Sequence, residues 1–487
     1  MSATLTTLDA ILKVYYDKKV IPQLNEKFTV LSKFKKTASS WSGKNCTVPC
    51  HVGRNSGRGN LSSGGALPTA GTQSYVDLVL SAKSSGVRIS ISRDAKMAAR
   101  LGQKNYFLNY IQAEVDPAMD DMAAMSNQNT IYGGLCKGFI NEHKVEVVTT
   151  ADDAAGANHS DWEWSGLPLS LAAVDGNPFA AAVNGTPATW VRVRLFRCDT
   201  MAEIFPQTAA GAPGAAGVAA FFISGTDSAN TQVEISVVVN EATNRLINTL
   251  NPATVAMAAG VSIAVHVSPT QYLDSGAANL GTIDAGASGS RATFLTGSST
   301  VLQQTGIYTQ LASPTHFGED RTSASGTASL QGNCLTVATT GNHQREPLTK
   351  DSIQRCLDEA LQVSGKEPQA AYISPRDRQI LHALVYDEMR NKGGATVNAG
   401  YTGFSFGTVS EWQADQHVGR SQIILLDFKD DVWSLFQYGD ADMVRDGKGN
   451  SIFPSMTSAA DEMSVEWYYD VMCKRPNSQV HLSGYSL

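Results

Sequence analysis

Residues Gly102–Gly134 read GQKNYFLNYIQAEVDPAMDDMAAMSNQNTIYGG. Within them Phe107, Ile111, Val115, Ala118, Met122 and Met125 recur at steps of three and four, which places them on one face of a helix. Gly102 precedes the run and Gly133–Gly134 closes it, as a helix C-terminus requires. Asp116–Pro117 lies in the middle. The missing proline N–H and the clash of its ring one turn back predict a kink, or a second helix capped by Asp116. The span from Arg93 to Tyr132 therefore predicts a long half-buried rod on which its flanks pack.

Ahead of the rod, Leu8, Ile11, Leu12 and Tyr15 share a helical face that Pro22 ends or bends. A basic patch follows at Lys27, Lys33, Lys35 and Lys36, either a solvated face or an arm lying along a neighbour or near an anion. From Gly43 to Ile91 the period becomes two. Asn45–Val52 and Tyr75–Ser81 read as outgoing and returning strands, with Val87–Ile91 continuing after a break at Lys83–Gly86. Between them, residues 53–71 are rich in Gly, Ser and Asn and carry Arg54, Arg58 and Pro68. This predicts a long ribbon with a flexible tip. An isolated hairpin is marginal in water, so a projecting one implies a partner surface. No Gly-Lys-Ser/Thr follows the tip glycines, which excludes a phosphate loop.

Behind the rod, Gly138–Thr149 is strand-like, and then the composition shifts. Lysine is absent between Lys144 and Lys350, and Ala, Gly, Ser and Thr dominate. Trp190–Cys198, Val233–Val239 and Val261–Val267 read as strands, so residues 151–345 are expected to be a β-rich insertion. Its part near Gly306–Asp320 is open to assignment to the surrounding domain. From Glu346 the pattern is α+β. Thr349 caps a helix with Asp351 in its first turn and Ile353, Leu357 and Leu361 on its face, and Gly365 stops it. Ala370–Ile373 is a short buried strand. Ser374-Pro375 opens a helix buried through Ile380, Leu381, Leu384 and Val385. Strands are expected at Phe404–Val409, Gln422–Asp427, Val432–Gln437 and Met463–Leu482, the last interrupted by Arg475-Pro476, with a turn at Asp446–Asn450.

The 487 residues allow two to four domains, and 42% hydrophobic content suffices for real cores. A formal charge of −7 gives no bulk attraction to nucleic acid. No run of 18 apolar residues exists to span a membrane, and Met1–Asp9 lacks the pattern of a signal peptide. Seven scattered cysteines fit free thiols in a reducing compartment. Cys46-x3-Cys50-His51 has no second cysteine pair near it, so neither a metal nor a cofactor is expected. Histidines are dispersed; the one cluster, His316 near Glu319 and Asp320, reads as a solvated polar loop.

The order of parts resembles the major capsid proteins of tailed bacteriophages, the HK97-like fold. Three motifs carry the resemblance. Ala371-Tyr372-Ile373-Ser374-Pro375-Arg376-Asp377 is similar to that family's strand, Ser/Asn-Pro-Arg and helix segment. Gln422-Ile423-Ile424-Leu425-Leu426-Asp427 is similar to the following axial strand. Val465–Val471 with Lys474-Arg475-Pro476-Asn477-Ser478 resembles the closing strand and its Arg-Pro signature. The resemblance implies an N-arm at 1–42, an extended loop at 43–91 and a peripheral domain with spine helix at 92–150. It further implies the insertion at 151–345, an axial domain at 346–455 and a peripheral return strand at 456–487.

As function, the resemblance implies a virion shell subunit, assembled in the host cytoplasm into pentamers and hexamers around double-stranded DNA held without sequence specificity. Implied partners are further copies of the chain, a separate scaffolding protein, a portal and, as an option, a cement or decoration protein. Scaffolding is expected to be a separate protein, or a segment removed on maturation from a longer precursor, because the 42 or so residues before the ribbon span about 60 Å at most as a helix, too few for such a segment. No Lys lies between Asn45 and Ala82, so the loop-lysine cross-link of the type member is excluded and non-covalent shells are expected. Arg54, Arg58, Tyr75, Leu78 and Leu80 are the expected intersubunit contacts.

Two alternatives stand beside this. One is an encapsulin-like compartment that shares the fold and encloses an enzyme cargo. The other is a serine hydrolase using Ser405, from Gly403-Phe404-Ser405-Phe406-Gly407 with His417 and Asp427. That elbow needs a helix after the serine, whereas Thr408-Val409-Ser410 continues as strand and the triad order is wrong, so no enzyme is expected.

Overall fold

The computed structural model describes residues 30–37, 45–93 (apart from 62, 64 and 66), 104–133, 136–143, 160–166, 191–198, 201, 220–226, 232–240, 245–247, 263–266, 304–321, 328–337, 346–391, 407–440, 442–445, 453–454 and 460–486. In chain order its principal elements begin with strands β1 (Lys35–Thr37), β2 (Asn45–Gly53), β3 (Ser74–Ser81) and β4 (Lys83–Ser92), then helix α1 (Lys104–Tyr132). Next come β5 (Cys136–His143), β6 (Ser160–Gly166), β7 (Val191–Arg197), β8 (Ala220–Thr226), β9 (Gln232–Asn240), β10 (Arg245–Ile247) and β11 (Ile263–His266). The remainder comprises α2 (Ile307–Ala312), β12 (Asn333–Thr336), α3 (Lys350–Ser364), β13 (Ala370–Ile373), α4 (Arg378–Asn391), β14 (Glu411–Ala414), β15 (Gln422–Leu426), β16 (Trp433–Gln437), β17 (Ala460–Cys473) and β18 (Val480–Ser483). The amphipathic pattern at residues 5–29 and the turn expected at 446–450 lie outside the described residues.

The chain divides into two compact units: residues 1–27, 86–124 and 443–465, and residues 28–85, 125–442 and 466–487. In the first unit, Val115 with the half-buried Ala118 and Met119 of α1 packs against Ile89, Met443 and Met463. Arg88 pairs with Glu462, and Arg93 Nε lies 3.5 Å from Asp461 Oδ1. Helix α1 runs unbroken for 29 residues through Pro117, which overturns the expectation of a second helix capped by Asp116. One missing N–H removes one hydrogen bond, and so long a helix keeps the others.

The second unit is organised by a five-stranded sheet in the order β12–β18–β15–β13–β14. Its inner strands are buried on both faces, Ala370–Ile373 and Gln422–Leu426 without exception. Alternation divides the side chains. Ala371, Ile373, Ile423, Leu425, Val480 and Leu482 meet Ile353, Cys356, Leu357 and Ala360 of α3 and Leu381 of α4. Ala370, Tyr372, Ile424 and Leu426 face the core that contains Tyr132, Phe139, Tyr308 and Trp433. Helix α3 starts as its sequence requires: Ser352 N–H donates to Thr349 Oγ1 at 3.2 Å, and Thr349 N–H returns to Ser352 Oγ at 3.1 Å. Its buried face is Ile353, Cys356, Leu357 and Ala360, while Leu361 is 44% exposed, contrary to the sequence expectation.

Four further expectations are corrected. The strand placed at Phe404–Val409 is, where described, a turn at Gly407 and Thr408 followed by an isolated bridge at Val409: Gly407 has φ +58°, and pairing with β13 begins only at Glu411. Strand β4 starts at Lys83, where a break was expected, because tertiary contacts hold that polar stretch extended. Val480–Ser483 does not end a peripheral strand but lies within the five-stranded sheet, between β12 and β15. The insertion boundaries shift as well. Its sheet begins at β5, and α2 and β12 already belong to the main core. Strands β5, β6, β9, β8, β7 and β11 pair antiparallel in that order, and β11 returns to β5, so these strands form a closed six-stranded ring with β10 appended to β9. Closure pairs both edges of each of the six strands and leaves β10 as the outer edge.

Candidate intersubunit surface

The ribbon β2–β3 is a two-stranded sheet in the register Cys46↔Leu80, Val48↔Leu78, Cys50↔Val76 and His51↔Tyr75. Even-numbered residues face inward and odd-numbered ones outward. The inner face does not wait for another copy. Leu78 and Leu80 are fully buried with Leu330, Phe436 and Met472 of their own subunit, and Cys46, Val48, Cys50, Val52 and Phe317 pack around them. Val79 N–H donates to Phe317 O at 3.4 Å, and Ser329 Oγ donates to Val52 O at 3.2 Å. Leu78 and Leu80 are therefore withdrawn as intersubunit contacts. Alternation in the sequence showed that one face is apolar, not whose surface it meets.

The outer face and tip remain open. Arg54 and Arg58 are exposed, and Tyr75 is 64% exposed. Among the described residues, half of the large exposed apolar side chains belong to this ribbon: Leu61, Leu67, Tyr75 and Val79. Such a concentration marks an interaction surface. Because Val79 directs its N–H away from β2, Asp77 and Tyr75, in step with it, do the same. Opposite Asp77, Pro49 occupies an outward-directed position, where its missing N–H costs nothing.

One hydrogen bond and one close approach shape the described part of the tip. Asn55 Oδ1 accepts the Gly57 N–H at 2.7 Å. A Cβ on Gly57 would lie 2.6 Å from Gly71 N and Thr69 O, and one on Gly71 would lie 2.5 Å from Gly57 N. The two sides of the loop thus pinch together where only glycine fits.

At its root the ribbon is tied by charge. Asp470, 1% exposed, accepts Thr305 N–H at 2.6 Å and Thr305 Oγ1 at 3.1 Å, and Lys83 Nζ lies 3.2 Å away. Gln304 Nε2 donates to Ser85 Oγ at 2.7 Å. Removing one partner of a buried pair strands the other, so Asp470→Ala is expected to cost about 3 kcal/mol or more. Chemical denaturation checks this, and Lys83→Met combined with Asp470→Ala should recover part of the loss; equal midpoints for Asp470→Ala and wild type would remove the root's importance.

The basic patch is matched within the subunit. Lys33 pairs with Glu411 at 2.7 Å, Lys36 with Asp440 at 2.9 Å, and Lys35 with Asp431, as β1 runs parallel to β16. The expectation of an arm along a neighbour or anion is corrected for these three: neighbour and anions are the chain's own. Lys27 lies outside the described residues.

Among the described residues, His417 and Asp427 take different partners. His417 Nδ1 lies 3.3 Å from Asp415 Oδ1, and Asp415 also accepts from Asn127 Nδ2 at 2.9 Å. Asp427 instead accepts Lys429 N–H at 3.0 Å and Gln369 Nε2 at 3.1 Å. Ser405 lies outside the described residues. Cys50 faces inward and His51 outward, as successive strand residues must, so the Cys-x3-Cys-His run cannot converge on a metal. His316, expected in solvent, is 2% exposed and hydrogen-bonded through Nε2 to Cys473 O at 3.0 Å. No helix among the described residues is long and apolar enough to cross a membrane.

No family model matches the sequence, and no curated protein is significantly similar to it. Solved structures are more informative. The capsid asymmetric unit of cyanophage A-1(L) matches over 100% of both chains at 9% identity with a TM-score of 0.51. The capsid of a native GTA particle matches over 100% of both at 8% identity with a TM-score of 0.48. The SrpI encapsulin of Synechococcus elongatus PCC 7942 matches over only 32% of this chain and 53% of its own, at 12% identity with a TM-score of 0.24. The fold likeness rests on the cyanophage capsid: the chain has the α+β architecture of a phage capsid protein, as its HK97-like order of parts implied.

Proposed function

We propose that the chain is a major capsid protein that self-assembles into the icosahedral head of a tailed phage. The observation that carries this is the ribbon: its inner face is anchored on its own core, while Leu61, Leu67, Tyr75 and Val79 are left exposed on a shaped tip and outer face. Within this reading Tyr75, Arg54 and Arg58 bind an adjacent copy. Head-to-tail repetition of one such contact closes rings, and many weak contacts in one lattice raise the effective concentration of each. Scaffolding protein, portal and an optional cement protein complete the set of partners. Double-stranded DNA fills the shell by confinement rather than by charge, since the formal charge is −7.

Electron microscopy of the purified protein tests the reading, with closed shells or capsomer rings expected. The variant Arg54→Glu/Arg58→Glu/Tyr75→Ser should keep the wild-type melting transition, because all three residues are exposed, yet lose assembly by at least about tenfold in effective affinity. Shells formed normally by that variant would overturn the assignment of these contacts. A strictly monomeric wild type would overturn the function. Particles filled with an enzyme rather than DNA would select the encapsulin-like alternative.

A further inference from the structure

The sheet face beneath the ribbon is only partly covered by it. Strands β16 and β17 pair as Ser434↔Met472 and Phe436↔Asp470, and Tyr438 N–H continues the ladder to Tyr468 O at 3.1 Å. Leu435, Tyr469 and Val471 belong to the main core, so alternation puts Phe436, Tyr438, Tyr468 and Met472 together on the opposite face. The subunit's own ribbon buries Phe436 and Met472 under Leu78 and Leu80. Tyr438 and Tyr468 stay 49% and 44% exposed, their rings meeting edge to face at 6.4 Å.

The subunit's own tip runs away from this pair. Lys83, at the ribbon's root, lies beside Asp470, and Cys50, further along, has its sulfur 4.0 Å from Lys474 O. From root to tip the ribbon thus advances along β17 from Asp470 toward Lys474, whereas Tyr468 lies on the other side of Asp470. The bare patch is nevertheless held in shape. Trp467 Nε1 donates to Gly439 O at 3.1 Å, Lys36 Nζ to Asp440 Oδ1 at 2.9 Å, and Tyr468 OH to Glu466 Oε2 at 2.6 Å. It is acidic as well: Glu466 and the exposed Asp440 and Asp442 stand against Lys36, Asp442 lying on a short strand, Asp442–Met443, that also pairs with β17.

The tip has the complementary character. Residues 53–76 contain Arg54 and Arg58 and no acidic residue, and Leu61 and Leu67 are exposed there. A guanidinium stacks on an aromatic face and pairs with a carboxylate, and the patch offers both. Among the described residues the remaining large exposed apolar side chains, Leu361 and Val363 on α3, offer no ring. Opposite charge, and continuity with the face that a ribbon already covers, select a second copy of this chain as the occupant.

We propose that Tyr438 and Tyr468, with Glu466, Asp440 and Asp442 around them, receive the ribbon tip of a second copy, Arg54 and Arg58 meeting the rings and carboxylates while Leu61 and Leu67 cover the bare sheet face. The inference rests on the reading of the chain as a shell subunit and names the surface that takes the ribbon. Donor and acceptor are different patches at opposite ends of one sheet face, so the contact is head-to-tail and repeats from copy to copy.

The test uses the full-length protein. Isotopically light and heavy copies, each carrying Leu67→p-benzoylphenylalanine, are assembled together and irradiated. A peptide mass map should join residue 67 of one copy to the peptides holding Tyr438 or Tyr468 of another. Tyr438→Ser/Tyr468→Ser should keep the wild-type melting transition and weaken assembly by at least about tenfold. Adding Arg54→Glu/Arg58→Glu to it should cost little more, because both changes remove one contact. Should the tyrosine variant fail to fold, the photoproduct decides alone. Photoproducts confined to another surface, none between copies, or fully additive losses overturn this acceptor while shells still form; a wild type that never associates overturns the shell reading with it.

Discussion

Replacing Gly133 by alanine is expected to cost at least about 3 kcal/mol and to leave little folded protein. A Cβ there would sit 2.1 Å from Gln304 O and 2.2 Å from Asn129 O. Both are backbone atoms, so no side chain can swing aside. The site is also a hydrogen-bond junction. Gly133 N–H closes α1 on Asn129 O at 2.7 Å, and Gly133 O accepts Gly306 N–H at 3.1 Å and Thr309 Oγ1 at 2.6 Å. Thr309 Oγ1 in turn accepts Cys136 N–H at 3.0 Å. Moving Gly133 would therefore disturb the end of α1, the start of α2 and the start of β5 together. Gly439→Ala is the control, since nothing lies within 4 Å of its added Cβ and its backbone is not left-handed; it should shift stability by less than about 0.5 kcal/mol. Denaturation midpoints decide, and a Gly133→Ala midpoint matching that of Gly439→Ala would refute the close approach.

Acid should destabilise the subunit through His316. Burial, aided by the neighbouring Arg321 cation, lowers this imidazole from 6.5 to about 3, with only its bond to Cys473 O opposing the shift. Between those values the unfolded chain binds a proton that the folded chain refuses. Stability therefore falls as pH drops from about 6.5 toward about 3, and the whole contribution is present above 6.5. The loss attributable to this residue should be about 2 kcal/mol by pH 5, where ordinary carboxylates are still mostly ionised, and roughly twice that at the acid limit. His316→Gln keeps a donor for Cys473 O and carries no titrating ring. Its urea midpoint should consequently be flatter than wild type over this window, and parallel curves for the two proteins would show that His316 is not held neutral.

Local chemistry made much of this chain legible. The i, i+3, i+4 spacing gave α1, Thr349 and Gly365 set the ends of α3, and the apolar run at Ala370–Ile373 marked a buried strand, with a further strand read at Gln422–Asp427. Alternation in β2 and β3 gave the two strands of the ribbon, while their register came from the structure. These features follow from period, caps and turn residues, which act over a few positions. Misreadings came where distant residues decide. Lys83 is extended because Asp470 holds it, and His316 is dry because residues from the far end of the chain cover it.

The sequence by itself determined the order of parts, the absence of a lysine in the ribbon, and which faces are apolar, because each is a property of neighbours along the chain. Tertiary structure alone decided what those faces meet. It laid Leu78 and Leu80 on Phe436 and Met472, and neutralised Lys33, Lys35 and Lys36 with acids hundreds of positions away. It also gave Gly133 a reason that no helix-ending rule contains, since the atoms crowding it come partly from Gln304. Contacts across such separations depend on how whole sheets and helices pack, and the period of a strand or helix carries no record of its partner.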